Sequence, residues 1–144
     1  MIWLLFKNIL VPTDGSPTSL RALDLAIEFS MRDGSKLTLL YVIFPPAMYN
    51  TRVVLEEMRK RGKSILNTAE SKCRSHGLAA KKLLKVADSN RSSPAYEIVK
   101  EAIDRRYDCV ILGSRGYAGE LGILLGSVAI SVAISVPCTT IVVR

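Results

Sequence analysis

Cys109-Val-Ile-Leu-Gly-Ser-Arg-Gly116, then nine residues, then Gly126-Ser127, is the stretch that decides the fold. Its first four residues are apolar and strand-like, and Val128 to Val136 reads as a helix. A strand that stops at glycines and reopens as a helix is a phosphate-binding arrangement. Glycines let main-chain N–H groups approach an anion, and the helix start adds unpaired N–H groups and the positive end of its dipole. Gly113, Gly116, Gly126 and Ser127 are therefore the candidate cradle, with the Ser127 hydroxyl as a further donor. Ser114 in the same turn is a candidate phosphate contact; Arg115 reads equally as a phosphate contact or as a solvated residue. The spacing is neither that of the dinucleotide fingerprint nor that of the P-loop.

Working outward, strand-like and helix-like runs alternate. Strands are predicted over Asn8–Thr13, Lys36–Ile43, Ala80–Ala87, Asp108–Gly113 and Thr139–Val143. The first helix starts at Pro17 behind a Ser16 cap, with Leu20, Leu23 and Ile27 as its apolar stripe, and ends at Gly34. The second spans Thr51 to His76, closes at Gly77, and repeats Leu55, Met58, Ile65, Leu66, Ala69 and Cys73 at helical spacing. Ser93-Pro94 opens the third, with Ile98, Val99, Ala102 and Ile103 inward. The fourth, Ser127 to Val136, is poor in helix formers; only the spacing of Ser127, Ser131 and Ser135, four apart, favours a helix over a strand. Five strands alternating with four helices predict an α/β domain: a parallel sheet with helices on both faces. Lys81, Lys82 and Lys85 suit an exposed edge strand.

Lys7-Asn-Ile-Leu-Val-Pro-Thr-Asp14-Gly-Ser16, the Gly-x2-Gly-x9-Gly-Ser pattern and Val136-Pro-Cys-Thr-Thr-Ile-Val-Val143 together resemble the universal stress protein family, over the whole chain from Lys7 onward. The glycine pattern resembles the ATP-binding branch of that family. The resemblance implies a Rossmann-like sheet of strand order 3-2-1-4-5. Strands one and four then flank the point where the chain reverses direction, where ligands of open α/β sheets bind. It implies ATP as ligand, with Mg²⁺ or Mn²⁺ carried on the phosphates. Asp14 would accept from the ribose or adenine edge, Pro12 and Thr13 would line the base, and Val42 would contact the adenine ring. Asp14 also reads as a turn residue at the helix entry. Two departures stand out: Asp88–Pro94 is longer than the family's usual turn, and Thr139 follows Cys138 where proline is usual.

The 144 residues make one domain, 49% hydrophobic, which excludes intrinsic disorder. Cys73, Cys109 and Cys138 form no CxxC pair, so neither a disulfide framework nor a zinc site is suggested, and a reducing cytoplasm is expected. Leu121 to Val143 carries no charge, but Pro137 splits it into a buried helix and a buried strand rather than a membrane span. The net charge of +7 favours anionic partners without naming one. Arg59-Lys-Arg61 and Lys63 lack interleaved aromatic residues and read as a solvated helix face, with Glu56 and Glu57 four residues before Lys60 and Arg61; nucleic acid is not expected. His76 reads as a surface residue. Met1–Phe6 reads as a lead-in to the first strand.

No catalytic or metal-ligating set is legible: neither motif holds a histidine and the glycine loop holds no lysine. Glu120 is the one carboxylate of that loop. The expected function is an ATP-binding stress-response or signalling protein that acts as a nucleotide-dependent switch. It is expected to be a homodimer paired through the apolar edge strand Thr139–Val143. Beside it stand a slow ATP hydrolase, which needs a water-positioning group, and a nucleotide-free interaction module that keeps its glycines for turn geometry. A phosphoacceptor receiver domain wants paired acids after strand one, and Asp14 stands alone.

Overall fold

Asn-Ile-Leu-Val-Pro and Cys-Val-Ile-Leu-Gly form β1 (Asn8–Pro12) and β4 (Cys109–Gly113), which lie side by side in the sheet. Their continuous apolar runs suit strands covered on both faces. The computed structural model describes residues 5–115 and 126–144. The other strands are β2 (Lys36–Ile43), β3 (Ala80–Val86) and β5 (Thr139–Val143). All pair in parallel, in the order β3-β2-β1-β4-β5. The helices are α1 (Pro17–Asp33), α2 (Arg52–Ser75), α3 (Pro94–Asp104) and α4 (Ser127–Ser135), with a single 3-10 turn at Ala47–Tyr49.

The core is divided by the sheet. On one face Phe6, Ile9, Val11, Leu23, Ile27, Leu39, Leu66, Cys73 and Ile111 pack with α1 and α2. On the other Leu10, Leu40, Ile98, Ala102, Val110, Leu112, Ala129 and Val132 pack with α3 and α4. Gly62 lets α2 sit on the sheet, since a Cβ there would fall 2.7 Å from both Leu84 and the Tyr41 ring. Gly34 ends α1 in the left-handed region (φ 73°), where glycine is unstrained. Within the lead-in, Phe6 stacks edge-on against Phe29 at 5.6 Å. Met1–Leu4 lies outside the described residues.

The sheet order and strand pairing agree with expectation; several details do not. Leu20 is 39% exposed and Ile103 is 50% exposed, so neither belongs to its helix's inward stripe. The inward positions of α1 include Thr18, Ser19, Ala22 and Ala26, because small and hydroxylic groups let it lie close to β4. Ser16 is the N-cap of α1 but makes no side-chain cap bond; its hydroxyl turns elsewhere. β1 stops at Pro12, β3 at Val86, and β4 starts at Cys109; just before it the Asp108 carboxylate binds the Lys7 and Asn8 amides (2.8 and 3.0 Å). The cap of α2 is His76, one residue before Gly77. Glu56 pairs back to Arg52 (3.3 Å), and Glu57 reaches Lys60 at a spacing of three rather than four (3.5 Å). On edge strand β3, Lys82 and Lys85 are ion-paired, to Glu70 (3.2 Å) and Glu101 (2.9 Å). No helix among the described residues is long and apolar enough to cross a membrane.

Candidate functional site

β1 and β4 end next to each other, and the turns that follow them are tied together by α1. After Pro12, the Thr13 N–H donates to the Leu40 carbonyl (2.9 Å), which keeps the chain on the sheet for one more residue. Asp14 Oδ1 then accepts the Ser16 N–H (2.9 Å) in a tight turn, and Gly15 takes φ 81°, where a side chain would be strained. Asp14 is thus a turn residue at the helix entry, held at the carboxyl end of β1. Tyr41 senses it: burial pushes the phenol up, Arg61 offsets this, and Asp14 adds to it.

A cluster of buried hydroxyls locks the β4 turn onto the first turn of α1. Thr18 Oγ1 donates to the Arg115 carbonyl and accepts the Arg115 N–H (3.4 Å). Ser16 Oγ donates to the same carbonyl (3.4 Å), and Ser19 Oγ donates to Ser16 O (2.9 Å). Gly113 exists for this contact. A Cβ on it would fall 2.7 Å from the Ser19 nitrogen and would strike Thr18 Oγ1. Sequence reasoning missed Thr18 and Ser19 altogether; their only signal is the crowding of hydroxyls in Thr13, Ser16, Thr18 and Ser19 just after a strand.

Ser114 is buried, and both its main-chain groups are engaged: its N–H donates to Val143 O (2.7 Å) and its carbonyl accepts the Gly126 N–H (2.6 Å). That second bond brings the start of α4 against the end of β4. Gly126 is the N-cap of α4 and has no side chain to cap the first turn. The amides of Ser127, Val128 and Ala129 therefore lack an intrahelical acceptor, and the Ser127 hydroxyl is exposed beside them. A Cβ on Gly126 would lie 3.4 Å from Ser114 O and 3.6 Å from the Arg115 Cα, in the mouth of this arrangement. Arg115 is half-buried. Gly116 and Glu120 fall outside the described residues.

Pro12 pairs with Leu40 in the ladder and shares its face with Val42, on the α3 and α4 side; Val42 is half-buried at the carboxyl end of β2. Past β2 the chain exposes Phe44 and Met48, and Val53 is exposed at the start of α2. This apolar rim was not foreseen. The structure thus gathers Pro12, Thr13, Asp14, Val42, Gly113, Ser114, Arg115, Gly126 and Ser127 at the carboxyl ends of β1, β2 and β4. In chemical terms the arrangement offers main-chain donors for an anion, an acidic acceptor and apolar surface. No group of three metal-ligating side chains occurs among the described residues. Burial pushes the Cys109 thiol up to about 12, with Cys138 and Asp108 adding to the effect, so it is an inert core group.

The model of the universal stress protein family matches residues 5–144. A universal stress protein of Bacillus subtilis is 27% identical over 97% of this chain and its own full length. The solved structure of the hypothetical protein MJ0577 is 28% identical with a TM-score of 0.84, covering 96% of each chain. A universal stress protein solved in complex with cAMP is 25% identical with a TM-score of 0.74, covering 96% of this chain and 97% of its own.

Proposed function

The chain belongs to the universal stress protein family, and from that premise we propose that it binds ATP at the carboxyl ends of β1 and β4 and works as a nucleotide-dependent switch in a stress response or signalling role. One observation carries the reading: α4 begins at an N-cap glycine, Gly126, hydrogen-bonded to the glycine-containing turn that ends β4. The phosphates face the first-turn amides of α4 and the Ser127 hydroxyl, where an unpaired row of donors meets the positive end of the dipole. Arg115 lies at the same turn. Asp14 accepts from the ribose or adenine edge, and Pro12, Thr13 and Val42 line the base. The complex of a relative with cAMP supports an adenine nucleotide as ligand class.

A divalent ion, Mg²⁺ or Mn²⁺, rides on the phosphates. Hydrolysis needs a positioned water and charge stabilisation at the γ-phosphate. None of the proposed site residues supplies a general base beyond Asp14, whose Oδ1 already holds the helix entry. We place the protein in the cytoplasm, in keeping with its three free cysteines. We also propose a homodimer joined along β5, whose outer edge has no strand beside it in the described sheet; Ile130 and Ile134 on neighbouring α4 are exposed.

A nucleotide-free interaction module is the second reading. Gly113 and Asp14 each have a structural reason to be present, the approach of α1 and the helix-entry turn. Copurified ligand separates the two. Protein purified without added nucleotide is heat-denatured, and the supernatant is chromatographed. ATP or another adenine nucleotide in near-stoichiometric amount is expected; protein that carries none and does not take up added ATP is the module.

A further inference from the structure

The two faces of the sheet are covered unequally. Below β2 and β3, α2 runs 24 residues; above them α3 has only 11, about 16 Å of helix. The amino-terminal ends of β1, β2 and β3 are therefore left open on the α3 side. A cleft of about 570 Å³ lies there, walled by Asn8, Lys36, Thr38, Lys81, Arg105 and Tyr107. It sits within the size range of small-ligand pockets. Lys36 and Val42 mark opposite ends of β2 and stand roughly 20 Å apart at strand rise, so the cleft is remote from the nucleotide site.

The charged side chains that line it are all cationic. Lys36, Lys81 and Arg105 form no ion pair among the described residues. The neighbouring carboxylates are not among the residues that line it. Glu101 takes Lys85 on one oxygen (2.9 Å) and the Tyr107 hydroxyl on the other (3.0 Å). Asp108 takes the Lys7 and Asn8 amides. Asp104 is solvated on the surface of α3. Lys36, Lys81 and Arg105 thus line one concave surface together with Asn8 and Thr38, the Thr38 hydroxyl being hydrogen-bonded to Tyr107. Two ammonium groups and a guanidinium fork suit the several oxygens of a phosphate group.

We propose that this cleft is a second ligand site, at the opposite end of the sheet from the nucleotide, for a small phosphorylated metabolite of two or more negative charges. The site accounts for part of the +7 net charge, which the nucleotide site does not explain. It does not depend on the ATP reading, since the two sites share no residue.

Inorganic pyrophosphate is the probe, titrated at low salt into ¹⁵N-labelled protein saturated with ATP and Mg²⁺, and separately into protein without nucleotide. Saturable amide shifts are expected at Asn8, Leu37, Thr38, Lys81 and Tyr107 in both samples, with Ser127 and Val128 unmoved by pyrophosphate in the ATP-saturated one. The variant Lys36→Gln/Lys81→Gln/Arg105→Gln, which alters exposed side chains only, should bind pyrophosphate at least tenfold more weakly while keeping the wild-type amide spectrum away from the cleft. Shifts confined to the α4 start, shifts reproduced by sodium chloride at equal ionic strength, or undiminished binding by the triple variant would each overturn the proposal.

Discussion

Two glycines of one motif serve different ends. Gly113 lies where α1 meets β4, with main-chain atoms of Ser19 and Thr18 at 2.7 Å from an added Cβ. Backbone cannot step aside, so Gly113→Ala should cost about 1–3 kcal/mol of stability by overpacking, read from urea midpoints. Gly126 has φ −77°, open to any residue, and an added Cβ meets nothing closer than 3.4 Å. Gly126→Val should fold normally and lose more than tenfold in ATP affinity, about 1.4 kcal/mol, by calorimetric titration; unchanged affinity would put the phosphates elsewhere. The sequence shows that glycines are there but not which purpose each serves; for Gly113 the answer lies in contacts with Thr18 and Ser19, nearly a hundred residues away. Glu101 was invisible as anything but an ordinary helix residue, yet it is 4% exposed. Burial alone would push its carboxyl up, but hydrogen bonds from Lys85 and Tyr107 with the charges of Lys85 and Arg105 hold it below the usual range. A lowered folded value stabilises above the unfolded carboxyl value near 4.3 and is lost as pH falls through the lower folded value. Glu101→Gln should therefore destabilise by about 1–3 kcal/mol at pH 7 and by much less at pH 3, in urea melts at each pH.

Among the elements, α4 and β5 are where local preference and outcome diverge. Ser-Val-Ala-Ile-Ser-Val-Ala-Ile-Ser prefers strand by composition, yet it folds as a helix because Ala129 and Val132 are buried against the α3 face. The four-residue spacing of its serines puts all three on the exposed side. β5 was legible to the residue, since Pro137 ends the helix and an apolar run follows. Its free edge can be assigned group by group. Val143 O accepts from Ser114 N, so Val143 and Ile141 turn their main-chain groups to β4, and alternation turns those of Val142 and Thr140 outward. Val142→Pro thus removes an outward donor without touching the β4 ladder. Sedimentation should show a wild-type dimer and a monomeric variant that still binds ATP. A wild-type monomer at micromolar concentration would end the proposal; a dimeric variant would shift the interface to another surface.

For the whole molecule, alternating periodicity and the family motifs sufficed to read the doubly covered parallel sheet, and the strand order followed from the resemblance. That order matters because it alone brings Asp14 and the Gly113 turn together across a hundred residues. The hydroxyl lock of Ser16, Thr18 and Ser19, the apolar rim at Phe44 and Met48, and the basic cleft on the α3 side of the sheet escaped sequence reading. Each joins residues that are scattered or ordinary along the chain and meet only once the strands are in order. The central claim, that this fold carries ATP between β1 and β4, is tested most directly by thermal melts of nucleotide-stripped protein with and without ATP and Mg²⁺, run beside Gly126→Val. Ligand at about 100 times its dissociation constant should add roughly 2.7 kcal/mol, and the wild-type midpoint should rise by roughly 5–10 °C while that of Gly126→Val stays in place. Superimposed wild-type melts, or an equal rise in the variant, would contradict it.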